Sequence, residues 1–283
     1  MKIKEIDAII RAALKEDLPQ GDITSETIVP RRSVAKALFL AKQKGVLAGI
    51  DVAGRVFHKI DGRVAFKKFF RDGQSFKPGD VLAEVKGSSI SLLKGERTAL
   101  NFLQRMSGIA TTTRMFVDAV AGTKAKVLDT RKTTPGLRAL EKYAVKMGGG
   151  ENHRLNLSTM VLIKDNHLRL VGDIPEAVRK ARQKVKRGIK IEVEVTDFRQ
   201  ARAALRAGAD RIMLDNMPPK KMREIVGWVN GRIPIEASGN VGLANIRRTA
   251  LLGVDCISVG KLTHSYASVD ISLEFVDWDR GQA

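Results

Sequence analysis

The spacing of hydrophobic and polar positions changes along the chain and predicts two successive kinds of structure. The first 18 residues mix apolar and charged positions as an amphipathic helix does. Short β-prone runs follow, and the last of them alternates apolar and polar residues in the manner of half-buried antiparallel strands. These runs cover residues 35–40, 64–70 and 81–85. Residues 89–123 return to helical spacing, so we predict an α+β amino-terminal domain with linking helices over residues 1–112.

From residue 113 onward, strand-like and helix-like segments alternate in units of about 20 to 30 residues, which is typical of parallel βα construction. The predicted strands cover residues 125–129, 160–164, 190–195, 210–215, 232–237 and 254–259. Each apolar run ends in a polar or glycine-rich step, and TIM-type barrels carry their chemistry at the carboxyl ends of such strands. We therefore predict an α/β fold whose second domain, residues 113–283, is a TIM-like barrel, complete or incomplete. Packing of its last residues against the first domain is compatible with this pattern.

Composition narrows the class of protein. The 283 residues are 43% hydrophobic, which allows one large or two modest domains with a substantial core. Fifty Lys and Arg against 31 Asp and Glu give a net charge of +19, which suits nucleic acid, acidic membrane surfaces or anionic small molecules. The basic residues are spread along the chain, so most of them are expected on a solvated surface. Aromatics make up only 5% and do not interleave with the basic groups, which argues against a nucleic-acid partner.

The single cysteine, Cys256, excludes an internal disulfide and a multi-cysteine zinc site, and its apolar neighbours predict a core strand. A reducing cytoplasm fits this pattern. No apolar run approaches the roughly 20 residues of a membrane span, and the charged amino terminus does not read as a signal peptide. We therefore predict a cytoplasmic protein without a membrane partner.

Cationic side chains gather around two of the predicted strands. Arg131 and Lys132 follow the first strand of the series, His153 and Arg154 follow a triple glycine, and Lys164 ends the second strand. A core segment would not tolerate this density of charge beside glycines and apolar runs. The sequence therefore predicts a pocket for a substrate with several negative charges.

The last two strand ends predict a phosphate site. Ser238-Gly239-Asn240 and Gly260-Lys261 follow these strands, and glycine lets backbone N–H groups approach phosphate oxygens at the start of the next helix. TIM-type barrels often bind phosphate after their final two strands. Taken alone, Ser-Gly-Asn is a common turn, and its position in the strand series favours the functional interpretation.

Two carboxylates, Glu194 and Asp215, end consecutive strands and are expected to lie near each other. Such a pair can hold Mg²⁺ directly or through water, and salt bridges to nearby lysines are an equally weighted alternative. Glu192 points the same way as Glu194 from its strand, and a buried carboxylate there needs a partner. Among the histidines, His153 is the stronger functional candidate, while His167 is expected to orient its strand end.

Motifs in a fixed order now give a family resemblance. They are EDLPQGDITSETIVP, GERTALNFLQRMSGIATTT, DTRKTTPG, GGGENHR, MVLIKDNH, IEVEV, IMLDN, IEASGN and ISVGKLTHS. The chain resembles the quinolinate phosphoribosyltransferases over nearly its whole length. The resemblance implies conversion of quinolinate and phosphoribosyl pyrophosphate, with Mg²⁺, to nicotinate mononucleotide, pyrophosphate and carbon dioxide in de novo NAD synthesis.

Matching the family's motifs assigns roles to individual residues. Quinolinate's adjacent carboxylates would be bound by Arg131, His153, Arg154 and Lys164. Lys132 would contact the pyrophosphate, and Arg97 would enter the pocket of a neighbouring subunit, which implies a homodimer and leaves a trimer of dimers open. Lys132, Glu194 and Asp215 are the implied catalytic residues, the two carboxylates organising Mg²⁺. The predicted substrate-binding residues are Arg97, Thr130, Arg131, Lys132, His153, Arg154, Lys164, Glu194, Asp215, Ser238, Gly239, Asn240, Val259, Gly260 and Lys261.

Two residues depart from the family's pattern. Glu151 lies where a neutral or basic residue is usual and is expected to pair with a surface lysine. Lys261 replaces a small residue, and it either strengthens the 5′-phosphate site or is an exposed substitution. Three alternatives stay open: a molybdenum-transport-associated paralogue, a nicotinate-using phosphoribosyltransferase, and a basic nucleic-acid-binding protein.

Overall fold

The computed structural model describes residues 3–279, and the contacts within it divide the chain into two compact units. The first unit contains the chain up to Arg114, Thr134–Gly149, and the chain from Tyr266 onward. The second contains Met115–Thr133 and Gly150–Ser265. The units are therefore interleaved in sequence, unlike the two consecutive stretches predicted at residues 1–112 and 113–283.

The first unit is built on a four-stranded antiparallel sheet of order β12-β1-β5-β3 and a two-stranded sheet of β2 and β4. Its strands are β1 (Val34–Ala41), β2 (Gly45–Val46), β3 (Ala65–Lys68), β4 (Ser75–Phe76), β5 (Val81–Ser88) and β12 (Ile271–Asp279). Alternate residues of β1 are buried, as a strand with one face on a core requires. The buried ring of Phe39 makes edge contacts with Phe57 and Phe66, at centroid distances of 6.1 Å and 5.8 Å.

Two of the helices of the first unit cover the segments where helical spacing was predicted, residues 1–18 and 89–123. The helices of this unit are α1 (Ile3–Asp17), α2 (Ile23–Ile28), α3 (Ile50–Ile60), α4 (Ser89–Ala119) and α5 (Arg138–Met147), and the last turn of α4 belongs to the second unit. Gly148, which follows α5, packs so closely that a Cβ there would overlap the carbonyl oxygen of Ala110. Its own carbonyl accepts a hydrogen bond from Arg114 Nε at 3.0 Å. These contacts with α4 explain why Thr134–Gly149 belongs to the first unit.

The second unit contains a six-stranded sheet, and its five strand pairs are all parallel, in the order β6-β11-β10-β9-β8-β7. The strands are β6 (Lys126–Leu128), β7 (Val161–Ile163), β8 (Ile191–Val195), β9 (Arg211–Asp215), β10 (Ile235–Ser238) and β11 (Cys256–Ser258). The helices are α6 (Asp165–Val171), α7 (Ile174–Lys184), α8 (Phe198–Arg206), α9 (Pro219–Val229), α10 (Leu243–Ala250) and α11 (Lys261–His264). This sheet with intervening helices confirms the predicted TIM-like barrel, in its incomplete form.

Residues alternate between the two faces of the parallel strands. Ile191, Val193 and Val195 are fully buried on one face of β8, and Glu192 and Glu194 alternate with them. Glu192 is also fully buried, so it needs hydrogen-bonding partners on the other face. Within residues 3–279, none of the helices combines the length and the apolar character that crossing a membrane requires.

Candidate active site

A cavity of about 760 Å³ opens at the carboxyl ends of the parallel strands of the second unit. Residues at the ends of β6, β7, β9, β10 and β11 line it. Its cationic lining residues are Arg131, Lys132, His153, Arg154, Lys164, Lys261 and His264, with the two histidines counted as potential cations. Parallel strands that end at one edge bring these distant sequence positions together, as the strand-end pattern predicted.

Two arginines face the same cavity. The Nε group of Arg131 is buried and has no hydrogen-bond partner within residues 3–279. Arg154 Nη1 donates to the Met160 carbonyl at 3.2 Å, and burial and the nearby charge of Arg131 lower the pKa of Arg154. A buried donor without a partner and two mutually repelling guanidinium groups are both stabilised by an anion that binds between them. This pair is therefore the strongest anion-binding feature of the cavity.

Lys164 and Glu194 form an ion pair at the ends of β7 and β8. The Lys164 side chain is 42% exposed and lines the cavity, whereas the Glu194 side chain is 12% exposed and lies behind it. His167 Nδ1 accepts the Lys164 backbone N–H at 2.9 Å, which holds the first turn of α6. His167 thus orients its strand end, as predicted, and Glu194 pairs with the lysine that lines the cavity.

A buried charge cluster lies beside the cavity. His153 Nε2 is 3.0 Å from Glu192 Oε2 and 3.5 Å from Glu236 Oε2. Glu236 also accepts hydrogen bonds from Arg211 Nη1, at 3.0 Å, and from Ser258 Oγ. Glu236 thus has donors for both of its oxygens, whereas Glu192 Oε1 is buried and has no hydrogen-bond partner in the described chain, and we describe the cluster as a hydrogen-bonded network.

The network shifts the protonation of its carboxylates. Burial raises the pKa of Glu192, and burial followed by the charge of Glu192 raises the pKa of Glu236 to about 7. The charges of His153 and Arg211 and the Ser258 hydroxyl oppose the rise at Glu236. Two fully buried carboxylates beside one imidazole therefore retain a proton more readily than exposed ones.

The loop after β10 has a backbone that only certain residues accept. Gly239 has φ +96°, and a Cβ on it would overlap Asn216 Oδ1. Asn216 and Asn240 themselves adopt left-handed backbone conformations, with φ of 47° and 48°. The Asn240 side-chain amide donates to Asn216 Oδ1 at 3.1 Å, and the Asn216 amide donates to Asp215 Oδ2 at 2.9 Å. Gly239 is thus required for the close approach of two strand-end loops.

The loop after β6 is fixed to the end of β11. The Lys132 backbone N–H donates to Thr130 Oγ1 at 3.0 Å, and the Lys132 carbonyl accepts from Thr263 Oγ1 at 2.8 Å. A Cβ on Gly260 would lie 2.9 Å from His264 Nε2 and 3.1 Å from Lys132 Cδ. These contacts hold Lys132 beside Gly260, where both line the cavity.

The cavity contains most of the predicted site residues. Those that line it are Thr130, Arg131, Lys132, His153, Arg154, Lys164, Asp215, Ser238, Gly239, Asn240, Gly260 and Lys261. Val259 is not among the residues that line the cavity in the described chain. It is 1% exposed because the neighbouring Ser258 takes the inward position on β11. Arg97 is exposed on α4 in the first unit. Glu151 pairs with Lys126 at 2.7 Å, which confirms the predicted surface ion pair.

Several members of the site were not predicted from the sequence, and two of them have clear structural roles. Asn216 lines the cavity and fixes the Gly239 loop, and Glu236 completes the buried network. The sequence does contain a feature that could have identified Glu236. The apolar strand Ile235–Ser238 carries a carboxylate at its second position, as β8 does at Glu192. An ionisable residue inside a buried strand indicates a partner across the sheet.

The fold and this cavity define a class of protein: a TIM-like enzyme whose strand ends bind a small molecule with several anionic groups. Two family models match the chain in consecutive stretches. The model for the quinolinate phosphoribosyl transferase C-terminal domain matches residues 109–274, and the model for the N-terminal domain matches residues 22–107. The chain belongs to the quinolinate phosphoribosyl transferase family, which confirms the resemblance found in its motifs.

Relatives from bacteria and plants support this membership. The chain is 44% identical over 271 residues to the nicotinate-nucleotide pyrophosphorylase [carboxylating] of Mycobacterium leprae, covering 94% of this chain and 95% of the relative. It is 38% identical over 289 residues to quinolinate phosphoribosyltransferase [decarboxylating] 1b of Nicotiana tabacum, covering 95% and 82%. The crystal structure of NadC from Streptococcus pyogenes superposes with a TM-score of 0.94 at 43% identity, covering 98% of this chain and 99% of that one.

Proposed function

We propose that the protein transfers a phosphoribosyl group from phosphoribosyl pyrophosphate to the ring nitrogen of quinolinate, with loss of carbon dioxide. The products are nicotinate mononucleotide, pyrophosphate and carbon dioxide, so the reaction belongs to de novo NAD synthesis. One observation carries the proposal: Arg131, whose buried Nε has no hydrogen-bond partner in the described chain, lies with Arg154 in the same cavity as the Ser238–Asn240 loop. A carboxylate site and a phosphate site in one cavity suit two polyanionic substrates.

Quinolinate carries two adjacent carboxylates. Arg131 and Arg154 offer planar guanidinium groups that bind a carboxylate with two parallel hydrogen bonds. Lys164 adds a cation whose charge is balanced by Glu194, and His153 adds a ring anchored on buried carboxylates. A substrate with a single carboxylate would leave part of this cationic set unpaired, which supports quinolinate over nicotinate.

The donor's phosphates would occupy the opposite side of the cavity. Ser238, Gly239, Asn240, Gly260 and Lys261 would bind the 5′-phosphate, Gly239 giving the closest backbone approach. Lys132, held between Thr130 and Gly260, would contact the departing pyrophosphate. As the C1–O bond to pyrophosphate breaks, positive charge develops on the ribose. The carboxylates of Asp215 and Glu194 stabilise that charge because they are positioned before the reaction begins.

The chemistry balances without a further cofactor for decarboxylation. The quinolinate nitrogen lone pair forms the new bond to the ribose carbon, pyrophosphate leaves with its bonding pair, and the ring becomes a pyridinium. The carboxylate next to the ring nitrogen departs as carbon dioxide and leaves its electron pair on the ring carbon, where the adjacent cationic nitrogen stabilises it. A proton then completes nicotinate mononucleotide.

We infer Mg²⁺ as the metal of this reaction. It prefers oxygen ligands and keeps several waters when it binds with substrate phosphates. Asp215 suits this role because it lines the cavity beside the phosphate loop, and Glu194 would act through water because it lies behind Lys164. When bound, the ion would neutralise charge on the pyrophosphate. Asp215 and Glu194 would orient its waters.

We also infer a cytoplasmic homodimer in which Arg97 enters the neighbouring subunit's site, with a trimer of dimers as a further assembly to be tested. Arg97 is exposed on α4, and the one cysteine, Cys256, is a buried free thiol. Sedimentation velocity measures the assembly directly. If Arg97 acts across subunits, inactive Arg97→Ala and inactive Arg131→Ala proteins should regain activity when their subunits are mixed. Mixtures without activity would contradict an action of Arg97 across subunits.

The function is tested by chromatographic assay of purified protein with quinolinate, phosphoribosyl pyrophosphate and Mg²⁺. A parallel reaction contains nicotinate instead, and Arg131→Ala is the control variant. We expect nicotinate mononucleotide from quinolinate alone, and its loss in the variant. Product from nicotinate alone would identify a nicotinate-using enzyme. No product in either reaction would favour the transport-associated paralogue or a binding role.

A further inference from the structure

Two buried carboxylates hold His153 from the side that faces the protein interior. Its backbone N–H donates to Asp129 Oδ1 at 2.8 Å, and its ring Nε2 lies 3.0 Å from Glu192 Oε2. The residue is only 8% exposed, yet it lines the cavity. The ring is therefore fixed from behind by one buried carboxylate while it contributes to the surface that a substrate meets.

A second carboxylate strengthens this anchor. Glu236 Oε2 lies 3.5 Å from the same ring nitrogen, and Glu236 is itself held by Arg211 and Ser258. Arg211 stands opposite Glu192 in the parallel register of β8 and β9, so its charge lies beside both carboxylates. The two acceptors around Nε2 thus lie on β8 and β10, and side chains of β9 and β11 hold Glu236 in place.

This geometry determines which ring nitrogen carries a proton. An ionised carboxylate oxygen only accepts hydrogen bonds, so where Glu192 is ionised the nitrogen that faces it supplies the N–H. The nitrogen in question is Nε2, and the hydrogen bond made by one ring nitrogen sets the protonation of the ring as a whole. A substrate carboxylate on the cavity side would then meet an imidazole whose orientation is already set.

We propose that Glu192 and Glu236 are positioning residues for His153: Glu192 accepts from its Nε2–H with Glu236 beside it, and together they hold the ring in one fixed orientation at the cavity wall. Neither carboxylate needs to contact the substrate. The identity of that substrate as quinolinate rests on the proposed function. Removing the partners that orient metal-ligating histidines changes affinity or activity by about 10- to 100-fold, and we expect an effect of this size at His153.

The first test measures the tautomer of His153 without any substrate. The chain has four histidines, so long-range ¹H–¹⁵N correlation spectra of wild type and His153→Ala assign the His153 ring by subtraction. We expect Nε2 to be protonated at neutral pH. An unprotonated Nε2 would overturn the proposal, because the carboxylates would then act as donors and could not hold the ring as described.

The second test asks whether Glu192 acts through His153. Calorimetry gives the quinolinate dissociation constant for wild type, Glu192→Gln, His153→Ala and the double variant. We expect Glu192→Gln to weaken quinolinate binding about 10- to 100-fold, and to add less than about 3-fold in the His153→Ala background. Additive losses would mean that Glu192 acts independently of the histidine and would overturn the proposal.

Two controls make the result specific. Glu151→Gln removes a carboxylate from the exposed pair with Lys126 and should leave quinolinate binding unchanged. Ser258→Ala removes a donor to Glu236 with little change in volume, and it replaces Glu192→Gln if that variant does not fold. A wild-type protein that fails to bind quinolinate would contradict the proposed function, while the tautomer measurement would still decide the positioning of His153.

Discussion

Lys164 and Glu194 form an ion pair across the ends of two neighbouring parallel strands, and only the lysine lines the cavity. For Glu194 the sequence left two interpretations equally weighted, a metal-binding carboxylate and a salt bridge to a nearby lysine. This ion pair is compatible with both. Its carboxylate does make a salt bridge to a lysine, but that lysine belongs to the site. A structural contact and a functional one are therefore the same contact at this position.

We predict that Glu194→Gln reduces kcat about 10- to 100-fold and lowers the free energy of unfolding by less than about 1 kcal/mol. In the proposed mechanism this carboxylate stabilises charge that develops in the transition state, which is the reason for the expected effect on rate. Stability changes little because Lys164 is 42% exposed and can remain hydrated without its partner. Steady-state kinetics and urea denaturation measure the two effects.

The matched control is Glu151→Gln, which breaks the ion pair with Lys126 at 2.7 Å on the surface of the same unit. Both substitutions remove one carboxylate from a lysine pair, but only the first pair includes a cavity residue. Equal losses of kcat in the two variants would show that the effect is general electrostatics and not a property of the site.

Arg131→Ala is predicted to lower kcat/KM for quinolinate by at least about 30-fold, because loss of a buried charged partner costs about 2 to 5 kcal/mol. The Arg131 Nε group is buried without a partner in the described chain, so its hydrogen bond is available to the substrate. Arg199→Ala, an exposed arginine on α8, is the control and should change kcat/KM little. Similar losses in both variants would contradict the assignment.

The six parallel strands were predictable because each apolar run stops at a polar step. The same steps located much of the site, since strand ends converge whatever the register between strands. The role of Glu236 was not predictable in this way. Its contact with His153 depends on the order and register of β8, β9 and β10, and no single strand contains that information.

Two further differences have local physical causes. Val259 was predicted in the site, but residues alternate between faces of a strand, and Ser258 takes the inward position. The placement of α5 in the first unit depends on what its apolar face contacts. Its sequence predicts an amphipathic helix and does not say that Gly148 will pack on Ala110.

Gly239→Ala should raise KM for phosphoribosyl pyrophosphate by about 10-fold or more, with a smaller change in KM for quinolinate. The substituted residue must keep φ near +96°, and its Cβ would displace the Asn216 side chain that holds the loop. Gly188→Ala is the control, because Gly188 has φ +93° but nothing lies within 4 Å of its Cβ position. An equal rise in KM in the two variants would mean that backbone strain causes the effect. The contact between the added Cβ at position 239 and Asn216 would then not be its cause.

Glu236 is expected to make stability depend on pH. Its folded pKa is raised from 4.5 to about 7, by burial first and by Glu192 second, so the folded state binds more protons than the unfolded state between these values. The free energy of unfolding should therefore fall as pH rises through this window and then level off. Urea denaturation from about pH 5 to about pH 8 should show a smaller fall in the free energy of unfolding for Glu236→Gln than for wild type.

The control for the lost charge is Glu224→Gln, which removes an exposed carboxylate on α9. Parallel curves for wild type and Glu236→Gln would show that the buried carboxyl group is not the source of the pH dependence.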